Sequence, residues 1–362
     1  MYGPITARAA GCLLTGAAAV WLASCQSVGP TTIPRDRFDY STAIGDSWKR
    51  QTLLNIVRLR YADPPIFVDV GQVVAGYSLE TVVSAGGVVS SAGAVQGDSA
   101  SLGAQGRFTD RPTITYTPLT GNRFIENIAT PISPKAIFET IENGFPAHAM
   151  LQMGVASING LRNVDSDLEG ARPADPRFLE VAKLLRDAQR TGGVGTRLRV
   201  DPEGQHAVVV TLRNPRATQQ ELAAGRRVRE LLGLDQDATE FELVGGEFAT
   251  HPQQIAVRGR SLLRVLQVLA LYVDVPEQDI VEGRATAGLP AAEPQAGGFF
   301  RVLSADGEPK DAFVAVRYRD RYFYVSDRDL SSKRLLSFIM ILFSLADRSE
   351  DAAKPVITIP AQ

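Results

Sequence analysis

Between residues 40 and 61 the apolar side chains Tyr40, Ala43, Ile44, Trp48, Leu53, Ile56, Val57 and Tyr61 recur at helical spacing, and Pro64-Pro65 stops the pattern. One or two helices are predicted there. From residue 66 to 116 the period falls to two, and the composition turns to Val, Gly, Ala, Ser and Thr. The odd positions Val73, Ala75, Tyr77, Leu79, Thr81, Val83, Ala85, Gly87 and Val89 are mostly apolar, whereas the even ones include Gly76, Ser78, Glu80, Ser84, Gly86 and Ser90. Ala100, Leu102, Ala104 and Phe108 then alternate with Ser101, Gln105, Arg107 and Thr109, and Gly97-Asp98 lies in the turn region between the two runs. Such strict alternation about a turn predicts a long, Gly/Ala/Ser/Val-rich amphipathic β-hairpin over residues 73–108. Residues 113–117 continue as a strand.

Helices and short strands alternate through the rest of the chain. Ser133 is placed to cap a helix that Gly144 ends, and Asp175-Pro176 opens another, which carries Phe178, Val181, Leu184 and Leu185 and closes at Gly192-Gly193. Residues 196–200 and 206–212 read as a hairpin, 219–232 as a helix, and 240–244 and 254–257 as strands. Residues 261–272 form a strongly apolar helix. A loop rich in Ala, Pro and Gly covers 286–298. Residues 299–303, 312–318 and 322–325 form an antiparallel meander turning at Arg319-Asp320, followed by a core helix over 335–345 and a strand over 356–359. This mixture of helices with antiparallel hairpins predicts an α+β fold. Its segments are 38–125 (helix plus long hairpin), 126–285 (middle domain), the 286–298 loop and 299–362 (meander, helix and strand).

The first residues have another character. Arg8 precedes an uncharged, mostly apolar run from Ala9 to Leu22, too short to span a bilayer comfortably, which is the shape of a signal peptide. Leu22-Ala23-Ser24-Cys25 resembles the lipobox of bacterial lipoproteins. That resemblance implies removal of residues 1–24 by cleavage between Ser24 and Cys25. Cys25 would then carry a covalent N-acyl diacylglycerol as its only cofactor-like group. Several acyl chains anchor a protein stably where one alone binds marginally. Gln26 stands where an aspartate would retain a lipoprotein at the inner membrane, so the resemblance implies a periplasm-facing protein on the outer membrane. Residues 25–37, small, polar and proline-bearing, are expected to be a flexible tether.

Composition narrows the function classes. Of the two cysteines, Cys12 and Cys25, only Cys25 survives cleavage, so the mature chain forms no internal disulfide. The net charge of −2 is spread evenly, which gives no basic face for nucleic acid. Gly45-Asp46-Ser47 resembles the nucleophile signature of GDSL-type esterases but sits in a helical pattern with no Asp-x-x-His downstream. His148, His206 and His251 lack metal-ligand spacing. Asp165, Asp167 and Glu169 share a polar loop, Arg226-Arg227-Arg229 a helix face read as solvated and ion-paired, and Arg317 to Tyr322 the edge of the meander. None of these converges on a catalytic set or a metal site, and no enzyme is expected.

Each arm of the hairpin is long enough to cross the hydrocarbon layer as a tilted strand, with Ala75, Tyr77, Leu79 and Val83 as candidate membrane-facing positions. Open sheet edges are not tolerated in lipid, so a barrel would need several subunits. In design this resembles lipoprotein export channels of the curli-secretion type, which implies a channel built from hairpins of several protomers. Residues 112–121, 157–161 and 327–334 are similar to an uncharacterised group of proteobacterial lipoproteins, which implies no activity. The expectation is therefore a non-catalytic envelope lipoprotein, held to the membrane by its anchor, that acts in structure or assembly with an envelope protein or with copies of itself. The alternatives are a subunit of an oligomeric outer-membrane channel and, last, a hydrolase of envelope polymer.

Overall fold

A computed structural model describes residues 28–74, 77–88, 99–110, 113–167, 170–192, 195–200, 206–212, 218–289 and 300–346. The fold is α+β, and the chain divides into two compact units, residues 1–45 with 68–117 and residues 46–67 with 118–362. The division cuts across the segments drawn from the sequence: the second half of the first helix and the C-terminal segment both belong with the middle domain.

Helix α1 runs from Val28 to Arg60, so it starts inside the stretch expected to be a tether. Pro30 falls in its first turn, where a missing N–H costs nothing, and the helix continues through Pro34 with the loss of one internal bond. Among its described side chains the buried ones lie in the C-terminal turns: Leu53, Ile56 and Val57 are fully enclosed, whereas Phe38 is 71% exposed.

The first unit also holds a β-ribbon. Strands β1 (Val68–Val74) and β4 (Thr113–Pro118) pair as one two-stranded sheet, and β2 (Tyr77–Val88) and β3 (Ser99–Asp110) as another. Antiparallel pairing of β2 with β3 agrees with the expected hairpin.

The second unit is built on a six-stranded sheet. Helices α2 (Pro134–Glu142) and α3 (Ala147–Gly154) lead into β5 (Val155–Ile158) and β6 (Leu161–Arg162). A small hairpin of β7 (Asp165–Asp167) and β8 (Gly170–Arg172) precedes α4 (Pro176–Arg190). Strands β9 (Gly195–Val200) and β10 (His206–Thr211) are followed by α5 (Gln219–Leu232), β11 (Glu240–Gly245) and β12 (Gln254–Gly259). The spatial order is β6-β5-β12-β11-β10-β9. All neighbours are antiparallel except β11 and β12, which run parallel through a short connection, residues 246–253. Periodicity carries no sign of that parallel pair, because parallel neighbours usually need a longer crossover.

Local signals placed the helices well. Ser133 Oγ accepts from the Ala136 N–H at 3.2 Å, and Thr218 with Glu221 forms a reciprocal capping box at the start of α5. Each helix turns a narrow apolar stripe to the core: Ile137, Phe138 and Ile141 from α2, and Phe178, Val181, Ala182 and Leu185 from α4. Helix α6 (Leu262–Ala270), capped by Ser261, buries Leu262, Val265, Leu266, Val268 and Leu269.

After α7 (Glu277–Val281) comes a three-stranded sheet of β13 (Leu303–Ala305), β14 (Ala312–Tyr318) and β15 (Arg321–Ser326). Its order is β13-β15-β14, with β15 in the middle, which is why Phe323 and Val325 are fully buried. Arg319 and Asp320 both take positive φ, 46° and 66°, as the tight turn between β14 and β15 demands. Helix α8 (Leu330–Ala346) buries Leu335, Leu336 and Ile339 and leaves Ile341 54% exposed.

Candidate assembly ribbon

The hairpin's register sorts its residues into two faces. Strand β2 pairs with β3 over twelve consecutive positions, from Tyr77 opposite Asp110 to Val88 opposite Ser99. Leu79 stands opposite Phe108, Val83 opposite Ala104 and Ala85 opposite Leu102. On the alternate positions Ser78 stands opposite Thr109, Glu80 opposite Arg107, Val82 opposite Gln105 and Gly86 opposite Ser101. One set of pairs is thus mostly apolar and the other mostly polar, with Tyr77 opposite Asp110 and Val82 opposite Gln105 as departures, and Glu80 faces Arg107. A slip by one residue would mix the two sets, so the alternation and the pairing specify each other.

Twelve residues of antiparallel strand extend about 40 Å, more than a strand tilted by about 45° needs to cross the hydrocarbon layer. Along the alternate face Glu80, Ser84 and Gly86 are exposed, and Val82 is 50% exposed. Nearer the second unit in sequence, β4 exposes residues on both faces, Tyr116 at 61% and Ile114 at 39% on one and Thr113 and Thr115 on the other. Gly103 lies under Ser84, where a Cβ would come within 2.7 Å of the serine oxygen, so the ribbon is closely paired there. Among the described residues each ribbon sheet has two strands, which leaves the outer edge of every strand without a partner strand. Unpaired edges are templates for further pairing.

Of the residues singled out from the sequence, Tyr77, Leu79 and Val83 lie on β2 at alternate register positions. Ala75 lies outside the described residues, as do Leu22, Ala23, Ser24 and Cys25.

Elsewhere the polar clusters are structural. Gly45-Asp46-Ser47 lies within α1, and Asp46 pairs with Lys49 at 2.6 Å, which holds its carboxyl below the usual range. His148 is on α3, half-buried, and burial lowers its pKa. His206 is on β10, and His251 accepts from the Gln253 N–H in a turn. Asp165 pairs with Arg264 at 2.6 Å. Arg227 joins α5 to α4 through Glu180 at 2.7 Å, as an ion-paired face should. Arg229, expected on that same solvated face, is instead buried, and donates to the carbonyls of Ala238 and Leu212, each at 3.0 Å. Carbonyls without a partner are costly to bury, and the guanidinium reaching inward satisfies these two.

Sequence reasoning missed Arg260, the most deeply buried cation among the described residues. It lies 1% exposed at the end of β12 and donates to the carbonyls of Gln152 at 2.7 Å and Met153 at 3.1 Å, and to that of Val164. Removal from water lowers its pKa to about 10. The one signal in the sequence was an arginine directly before the cap residue Ser261 of an apolar helix. A second knot joins α1 to the C-terminal sheet: Tyr61 donates to Asp279 at 2.6 Å, Tyr318 donates to Asp63, and Arg319 lies 4.8 Å over the Tyr61 ring. It accounts for the tyrosine and arginine mixture between Arg317 and Tyr322 as packing.

Among the described residues, no group of three His, Cys, Asp or Glu side chains is placed to hold a metal ion, and no helix is long and apolar enough to cross a membrane. Comparison of the chain with protein-family models, curated proteins and solved structures gives no match in any of the three.

Proposed function

We propose that this protein is a non-catalytic assembly component of the bacterial outer membrane, tethered through acyl chains on Cys25, whose β-ribbon joins copies of the chain to one another. One observation carries this reading: a twelve-pair ribbon with one mostly apolar face, whose strands have, among the described residues, one neighbouring strand each. An isolated two-stranded hairpin is marginal in water, and neighbouring ribbons would supply the missing strands. The segregation of apolar from polar pairs over a bilayer-crossing length supports a second reading of the same element, in which the joined ribbons close into a barrel and the assembly is a channel.

The test is the mass of the lipoprotein extracted in mild detergent, measured by light scattering with the detergent contribution subtracted. A defined multiple of the protomer is expected. Conductance across planar bilayers then separates the channel from a closed scaffold. Leu79→Asp should abolish assembly and leave the melting of the second unit unchanged. A wild-type protein that stays monomeric would sink self-assembly and leave a tethered domain that binds another envelope protein.

A further inference from the structure

Within the second unit, α1 ends on an enclosed cation. Arg60 is the last residue of the helix and is 3% exposed. Among the described residues its hydrogen bonding is poor: Nη1 donates to the Thr286 hydroxyl at 3.4 Å, and Nε is buried with no partner. The other buried guanidiniums are better served, Arg229 by two carbonyls and Arg260 by three. Acids in the neighbourhood are engaged elsewhere. Asp274, whose charge reaches Arg60, pairs with Arg301 at 2.9 Å, and Asp279 accepts from the Tyr61 hydroxyl at 2.6 Å. An arginine does not escape burial by losing its proton, so a charge enclosed in this way calls for an anion.

The edge of the guanidinium formed by Nε and Nη2 is the one on which a carboxylate lies side-on. Residues 286–289 cover it. A Cβ on Gly288 would stand 2.7 Å from Nη2 and 2.9 Å from the Leu271 carbonyl oxygen, so any larger residue would press on that edge. Thr286 ties this strap to α1, its N–H reaching the Arg60 carbonyl at 3.4 Å and its hydroxyl at 3.5 Å. Both contacts are long, and exchanging them for water on opening the strap costs little.

We propose that Arg60 binds a small monovalent carboxylate on its Nε and Nη2 edge, beneath the strap at Gly288. The negative potential of Asp274 and Asp279 favours a monovalent anion over a phosphate dianion, and a planar carboxylate matches the fork of a single arginine. The tight cover at Gly288 restricts the ligand to about the size of acetate. The site is independent of ribbon assembly, and a monomeric protein would keep it.

The experiment follows thermal unfolding of the full-length protein in mild detergent, with acetate titrated against chloride at constant pH and ionic strength. The melting temperature of the second unit should rise saturably by roughly 2–4 °C in acetate and stay level in chloride. Arg60→Met removes the enclosed charge, so it should melt above the wild type in chloride and lose the acetate response. Gly288→Ala, which crowds the same edge, should lose the response as well. The absence of a saturable rise in the wild type, or the same rise in Arg60→Met, overturns the proposal whatever the glycine variant does. A larger effect of inorganic phosphate than of acetate overturns the choice of carboxylate. Glu293, the one acid between residues 290 and 299, lies outside the described residues. If Glu293→Gln gains an acetate response that the wild type lacks, the chain's own carboxylate serves Arg60 and the proposed ligand falls.

Discussion

The second unit and the β-ribbon use the same backbone hydrogen bonds to opposite ends. In the second unit every long helix turns an apolar stripe onto a shared core, and the central strands β12, β11 and β10 have neighbours on both sides. In the ribbon the strands have one neighbour each, and the side chains described on the alternate face of β2 are exposed. A core of that kind supplies its own stability. A ribbon of that kind has little core of its own, which is why the proposed function gives it a neighbouring copy.

The comparison breaks most sharply if core and ribbon substitutions have the same effect. Phe241→Ala, at a side chain with no exposed surface, should cost the second unit roughly 3–5 kcal/mol by urea unfolding. Ribbon changes such as Leu79→Asp should shift that unfolding by less than about 0.5 kcal/mol, and a larger shift would mean that the hairpin is part of the core. Next in size is Arg260→Met, which leaves three buried carbonyls without their donor. A loss of roughly 2–4 kcal/mol is expected in the same assay, and a neutral result would show that packing alone holds the end of β12. Thr218→Ala removes the capping box of α5 and should cost about 1 kcal/mol.

The smallest effect is a pH dependence. Burial depresses the pKa of His148 in the folded state, so its neutral form contributes stability that is complete above the unfolded value of 6.5 and is lost as the pH falls below it. His148→Gln should flatten the stability profile between pH 7 and pH 5. If the profile is unchanged in that window, carboxylates elsewhere account for the slope.

Much of this architecture was legible in advance, and for local reasons. Ser133, Asp175 and Ser261 begin helices because a short oxygen-bearing side chain can take an orphan N–H, whatever the rest of the fold does. The alternation from Tyr77 to Phe108 encoded the hairpin, because a period of two excludes every odd slip, whereas the choice among the remaining registers came from the structure. What escaped was non-local. The start of α1 at Val28 overrode a composition that read as tether. Arg229 and Arg260 look like any surface arginines in sequence, and their burial follows from strand ends and loop carbonyls that only the assembled unit brings within reach.

The sequence by itself therefore determined the α+β class, the starts of the helices capped by Ser133, Asp175 and Ser261, and the long hairpin, all of which depend on neighbours a few residues away or on periodicity. Tertiary structure decided the parallel placement of β11 beside β12, the central position of β15, the buried guanidiniums and the gathering of Phe67, Phe124 and Phe343. Those features bring together residues from distant parts of the chain. No local propensity records which of many compatible packings closes the core with its polar groups satisfied.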